Sequence, residues 1–113
     1  GCYTFADWSD SSVTHPFFTM LVTLRSVAHR LQLDENRPEL MRLRDVYLES
    51  WTSFESPENL RMAFRLAYKL AMVNRALSYH RVLGPLPERY KVENDAIPGW
   101  LEDFLDAEAK AEN

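Results

Sequence analysis

The sequence predicts an all-α fold of four helices preceded by a short N-terminal strand, and three observations carry that prediction. From Ser56 to Leu83 runs an almost unbroken series of helix-forming residues, opened by a Ser-Pro pair suited to an N-cap and first helical position and closed by Gly84-Pro85. Two earlier segments, Pro16 to Leu31 and Pro38 onward, repeat apolar residues at steps of three or four behind a proline entry. A final segment of the same kind starts near Pro98. A chain of 113 residues that is 46% apolar and 12% aromatic has the composition of one modest folded domain.

Cys-Tyr-Thr-Phe-Ala, residues 2–6, alternates large and small side chains and reads as a strand, although the chain offers it no partner. Asp7, Trp8, Ser9, Asp10, Ser11 and Ser12 follow as a polar turn. Thr14 or Ser12 is placed to cap the first helix, whose face is Phe17, Leu21, Leu24, Ala28 and Leu31, widened by Phe18 and Val22. After the break at Asp34-Glu35-Asn36, the second helix presents Leu40, Leu43, Tyr47, Trp51 and Phe54. The third carries Leu60, Ala63, Phe64, Ala67, Ala71 and Val73 on one side. Met62, Leu66, Leu70, Met72, Ala76 and Leu77 spread apolar character over its other sides, which predicts a helix enclosed by neighbours and packed against the first. A proline-rich crossing, Gly84 to Pro98, leads to the last helix, with Trp100, Leu101, Phe104 and Leu105 inward and an acidic outer side.

Net charge is -4, which argues against a nucleic-acid binder. The basic third helix and the acidic tail are expected to dock on each other. A single cysteine, Cys2, leaves no internal disulfide and no cysteine-based metal site, the usage of a cytoplasmic protein. No segment has the length or apolarity of a membrane span or signal peptide. The opening Gly1-Cys2 without a methionine reads as a piece of something longer.

Candidate chemistry is sparse. Asp7, on a polar turn just beyond the strand, is placed to reach a divalent cation, with Asp10 as companion; Mg²⁺ takes one or two carboxylates together with phosphate and water oxygens. His15 either pairs with Asp10 or caps the loop, and His29 and His80 lie late in helices, where helix-end hydrogen bonding is common. Asn74, Arg75, Ser78, Tyr79, His80 and Arg81 form a polar cluster that either lines a cleft for a polar substrate or holds the following crossing. The three glycines make no phosphate-cradling loop, and neither a serine elbow nor a paired-glutamate arrangement is present.

Phe5-Ala6-Asp7-Trp8-Ser9-Asp10, followed by Thr14-His15-Pro16-Phe17-Phe18, resembles the segment of the aminoglycoside phosphotransferase and choline kinase superfamily in which a strand ends in the metal-binding aspartate. Asn74-Arg75 to Ser78-Tyr79-His80 and the Ile97-Pro98-Gly99-Trp100-Leu101 helix are similar to the helical C-terminal end of bacterial members. The resemblance implies the C-terminal part of a protein kinase-like C-lobe, with Asp7 matching the aspartate that holds Mg²⁺ against the ATP phosphates. The site-lining candidates are then Asp10, Asn74, Tyr79 and His80. It implies a parent that moves the terminal phosphoryl group of ATP to a hydroxyl of a small molecule, with the rest of the kinase-like region as this chain's partner. The chain has no His-Gly-Asp loop, no downstream asparagine of that loop and no nucleotide lobe, so by itself it is expected to be inactive. The other expectation is a helical interaction module that binds a protein or a second copy through exposed apolar faces.

Overall fold

The computed structural model describes residues 1–6, 11–88 and 95–112, and its architecture is all-α. A 3₁₀ turn, Pro16–Phe18, runs directly into α1 (Thr19–Leu31), followed by α2 (Pro38–Glu49), the long α3 (Pro57–Leu83) and α4 (Ala96–Glu112). Local chemistry explains each boundary. His15 Nδ1 accepts a hydrogen bond from the Phe17 N–H at 3.2 Å, so this imidazole, rather than Thr14 or Ser12, caps the entry. Ser56 Oγ accepts from the Asn59 N–H at 3.3 Å ahead of Pro57, as the Ser-Pro pair predicts. Pro85, lacking an N–H, cannot continue α3 beyond Leu83.

The C-terminus of α1 closes without a glycine. Gln32 adopts the left-handed conformation at φ 53°, the Leu33 N–H donates to the Ala28 carbonyl at 2.8 Å, and the Gln32 N–H donates to that of His29 at 3.3 Å. This is a Schellman closure, and half-buried Leu33 folds over the helix end as its position predicts.

Phe17 sits at the centre of the core. It is buried with Met20, Leu24, Leu48, Leu60, Phe64 and Ala67, and Phe18, Tyr47, Trp51, Ala63 and Tyr68 pack around them. The Phe17 ring meets Trp51 edge-on at 5.5 Å and Tyr47 at 5.8 Å, and the Tyr47 hydroxyl donates to the Pro16 carbonyl at 3.3 Å. A second cluster, Leu21, Ala71 and Met72, is closed by Trp100, Phe104 and Ala107 of α4. Thus α1 packs on α3 as its pattern predicts, and α4 lies along α3 in the most extensive helix contact of the fold. The basic and acidic segments meet where Lys69 donates to Glu108 at 2.6 Å.

Several expectations are corrected. Residues 2–6 form no strand: they are exposed, and no strand exists among the described residues to pair with their backbone groups. The second helix stops at Glu49, and Trp51 and Phe54 lie in the turns that follow, with Leu48 buried while Leu43 and Phe54 are exposed. On α1, Met20 is buried, whereas Val22 and Leu31 are exposed. Leu101 and Leu105 of α4 are also exposed. The largest correction concerns α3, which is buried on one side only. Its core side is Leu60, Phe64, Ala67 and Ala71, with Met72 and Ala76 towards α4; Met62, Leu66, Leu70 and Leu77 are each at least half exposed. Among the described residues, α1, α2, α4 and the Pro16–Phe18 turn pack on α3 and leave its Met62–Leu77 side open.

Candidate functional site

Three features outside simple core packing invite a functional reading: the polar cluster near the C-terminus of α3, a cleft beside Arg25, and the open face of α3. Asp7 and Asp10, the carboxylates expected to meet a metal, lie outside the described residues. Among the described residues, no group of three or more His, Cys, Asp or Glu side chains is arranged to hold a metal ion. The metal assignment therefore rests on Asp7 and its sequence context.

In the polar cluster, Ser78 Oγ donates to the Asn74 carbonyl at 3.0 Å, a bond within the helix that uses their i, i+4 spacing. Arg75 lies over the Tyr79 ring at 5.3 Å and reaches the Trp100 ring of α4 at 6.0 Å. His80 is exposed, and its carbonyl accepts the Gly84 N–H at 2.8 Å. Asn74 and Tyr79 are half-buried, so the cluster faces α4 along one edge and solvent along the other. The Nε of Arg75 is buried without a hydrogen-bond partner among the described residues.

Arg25 is the polar hub that pattern reading did not find. It projects from the apolar side of α1, between Leu21, Leu24 and Ala28, and its guanidinium lies 4.9 Å from the centre of the Trp100 ring. One Nη bonds Asp103 of α4, and Nε approaches Glu35 of the α1–α2 loop at 3.3 Å without hydrogen-bond alignment. Burial alone disfavours the guanidinium charge. The hydrogen bond to Asp103 and the fields of Glu35 and Asp103 outweigh it, and together they raise the Arg25 pKa above the ordinary arginine value. The neighbouring Tyr68 phenol is pushed up chiefly by its own burial. An arginine in a core register on α1 and an aspartate beside Trp100 and Phe104 on α4 are the sequence signs of this pair.

Beside Arg25 opens a cleft of about 210 Å³, floored by Leu24, Leu40 and Phe64 and rimmed by Glu35, Arg44 and Tyr68. A second concavity of about 240 Å³ lies between α2 and α3, lined in part by Asp45, Leu48, Leu60 and Arg61. Both fall below the ~300 Å³ at which pockets for drug-sized ligands begin. Asn74, Tyr79 and His80 line neither of them. Asp45, at the mouth of the second, joins the helices: Arg44 holds it at 2.8 Å and Arg61 of α3 at 3.4 Å. The bond from Arg44, reinforced by Arg61, keeps the Asp45 carboxyl below the usual carboxylate range.

No family model, curated protein or solved structure matches this chain. Among the described residues, no helix is long and apolar enough to cross a membrane.

Proposed function

We propose that this chain is the C-terminal helical portion of an ATP-dependent phosphotransferase that acts on a hydroxyl group of a small molecule, cytoplasmic and inactive as an isolated piece. The observation that carries the reading is the Asp7-Trp8 segment and its continuation His15-Pro16-Phe17-Phe18. That continuation is a rigid entry: His15 caps it, Pro16 opens it and Phe17 is buried at the core centre. Asp7 stands eight residues before His15 in the chain. It would hold Mg²⁺ against ATP phosphates bound by the remainder of the kinase-like region, and the metal would supply charge neutralisation in phosphoryl transfer.

In the intact parent, Asp7→Ala should preserve the fold and abolish Mg²⁺-dependent ATP turnover. Near-normal turnover in the variant would refute the metal role. Peptide mapping of the native protein for a catalytic aspartate loop upstream of Cys2 tests the parentage directly.

A second reading, a helical interaction module, is favoured by the open apolar face of α3, which the fold itself leaves unused.

A further inference from the structure

The open face of α3 has an internal order that random surface exposure lacks. Met62, Leu66, Leu70, Val73 and Leu77 follow one another at steps of four, four, three and four, and all but half-buried Val73 are at least half exposed. Met62 to Val73 and Leu66 to Leu77 are both eleven-residue steps. Such a repeat, at about 3.67 residues per turn, runs almost straight along a helix and suits pairing with little supercoil. The stripe also reads nearly the same in both directions. Turning a second α3 end for end about the midpoint sets Met62 against Leu77 and Leu66 against Val73, with the two Leu70 side chains meeting beside the axis.

The charges at the ends of the stripe select the same orientation. At the N-terminal end stands Glu55, held beside the stripe by a 3.1 Å hydrogen bond from Asn59. At the C-terminal end stands exposed Arg81, next to His80. An antiparallel copy brings Glu55 of each protomer towards Arg81 of its partner, twice per pair. A parallel copy would set glutamate against glutamate and arginine against arginine. Lys69, the cation nearest the axis, is already neutralised by Glu108 at 2.6 Å.

We propose that the outer face of α3 binds a second copy of this chain, the two α3 helices antiparallel about a two-fold axis beside Leu70. This extends the interaction-module reading to a particular surface and partner, and it stands or falls independently of the Asp7 assignment. The apolar seam spans only about 22 Å of helix, so the interface falls in the small, concentration-dependent class.

Sedimentation velocity of this chain from about 5 to 500 μM is expected to show a reversible monomer–dimer equilibrium. Leu70→Glu should raise the dissociation constant at least tenfold and leave the far-UV circular dichroism unchanged, because Leu70 lies outside both core clusters. Arg81→Glu should weaken pairing, and Arg81→Glu combined with Glu55→Arg should restore it. Orientation is read by oxidation in a Cys2→Ser background. Leu70→Cys should cross-link to itself, whereas Met62→Cys should cross-link to Leu77→Cys in a mixture and not to itself. A chain that stays monomeric at the highest concentration, or Met62→Cys self-linking as readily as Leu70→Cys, overturns the proposal. So does a monomer that captures another protein on this face.

Discussion

Phe17→Ala tests the central claim about the core, namely that a three-residue turn locks the helices together. Phe17 is 3% exposed and touches rings from three other segments: Trp51 at 5.5 Å, Tyr47 at 5.8 Å, Phe64 at 6.1 Å, and His15 at 4.7 Å from its own entry. Truncating a buried phenylalanine to alanine costs about 3–5 kcal/mol through lost transfer energy and the cavity left behind. Two edge-on ring pairs, each worth roughly 0.5–1.5 kcal/mol beyond burial, place this site in the upper part of that range, near 4 kcal/mol. For a domain of this size each kcal/mol lowers the melting temperature by about 4 °C, so the expected fall is about 16 °C.

The assay is urea unfolding followed by far-UV circular dichroism, with a midpoint decrease of about 2 M if the slope is roughly 2 kcal/mol/M. Leu66→Ala on the open face of α3 is the control, and its expected change lies within about 0.5 kcal/mol. A Phe17→Ala variant that loses less than about 1 kcal/mol, or no more than the control, would refute the packing argument, since the range for buried aromatics leaves no room for such a result.

Two further outcomes follow from local geometry. Gln32→Gly removes the steric cost of the left-handed backbone at φ 53° and should stabilise the domain by up to about 1 kcal/mol in the same denaturation assay, even though the side chain's 2.8 Å bond to the His29 carbonyl is lost. The Asp45 carboxyl is held below its unfolded value by Arg44 and, secondarily, by Arg61, so its contribution to stability is present above the unfolded pKa and is lost as pH falls through the folded one. Thermal unfolding followed from pH 6 to pH 2 should therefore show a shallower acid decline in Asp45→Asn than in the parent sequence; parallel curves would remove Asp45 from the acid response.

Helix existence was legible because periodicity and proline punctuation are local. Ser56-Pro57 and Gly84-Pro85 bracket α3 within the chain itself, and Pro38 marks the start of α2. The core members Phe17, Leu21, Leu24, Leu60 and Phe64 were legible for the same reason, as apolar residues in phase. The strand at residues 2–6 was not reliable, because a strand is completed by a partner and alternation alone supplies none. Of the candidate site only residue types were legible: Asp7 and Asp10 stand out in the sequence as carboxylates on a polar stretch, and they lie outside the described residues.

What the amino-acid order determined by itself was the class of fold, the ends of the long helix and the apolar phase of Phe17, Leu21 and Leu24 and of the Leu60–Ala71 side of α3, all consequences of interactions spanning four or five residues. Tertiary structure decided which apolar residues are inside. Leu70 and Ala67 are both apolar members of the same helix, yet one faces solvent and the other α1 and the Phe17 turn. It also decided that Arg25 meets Asp103, 78 positions away, and that Trp100 stacks beneath the guanidinium. Burial and ion pairing depend on which surfaces the packed helices bring together, and no periodicity within one helix specifies how much of its circumference its neighbours will cover.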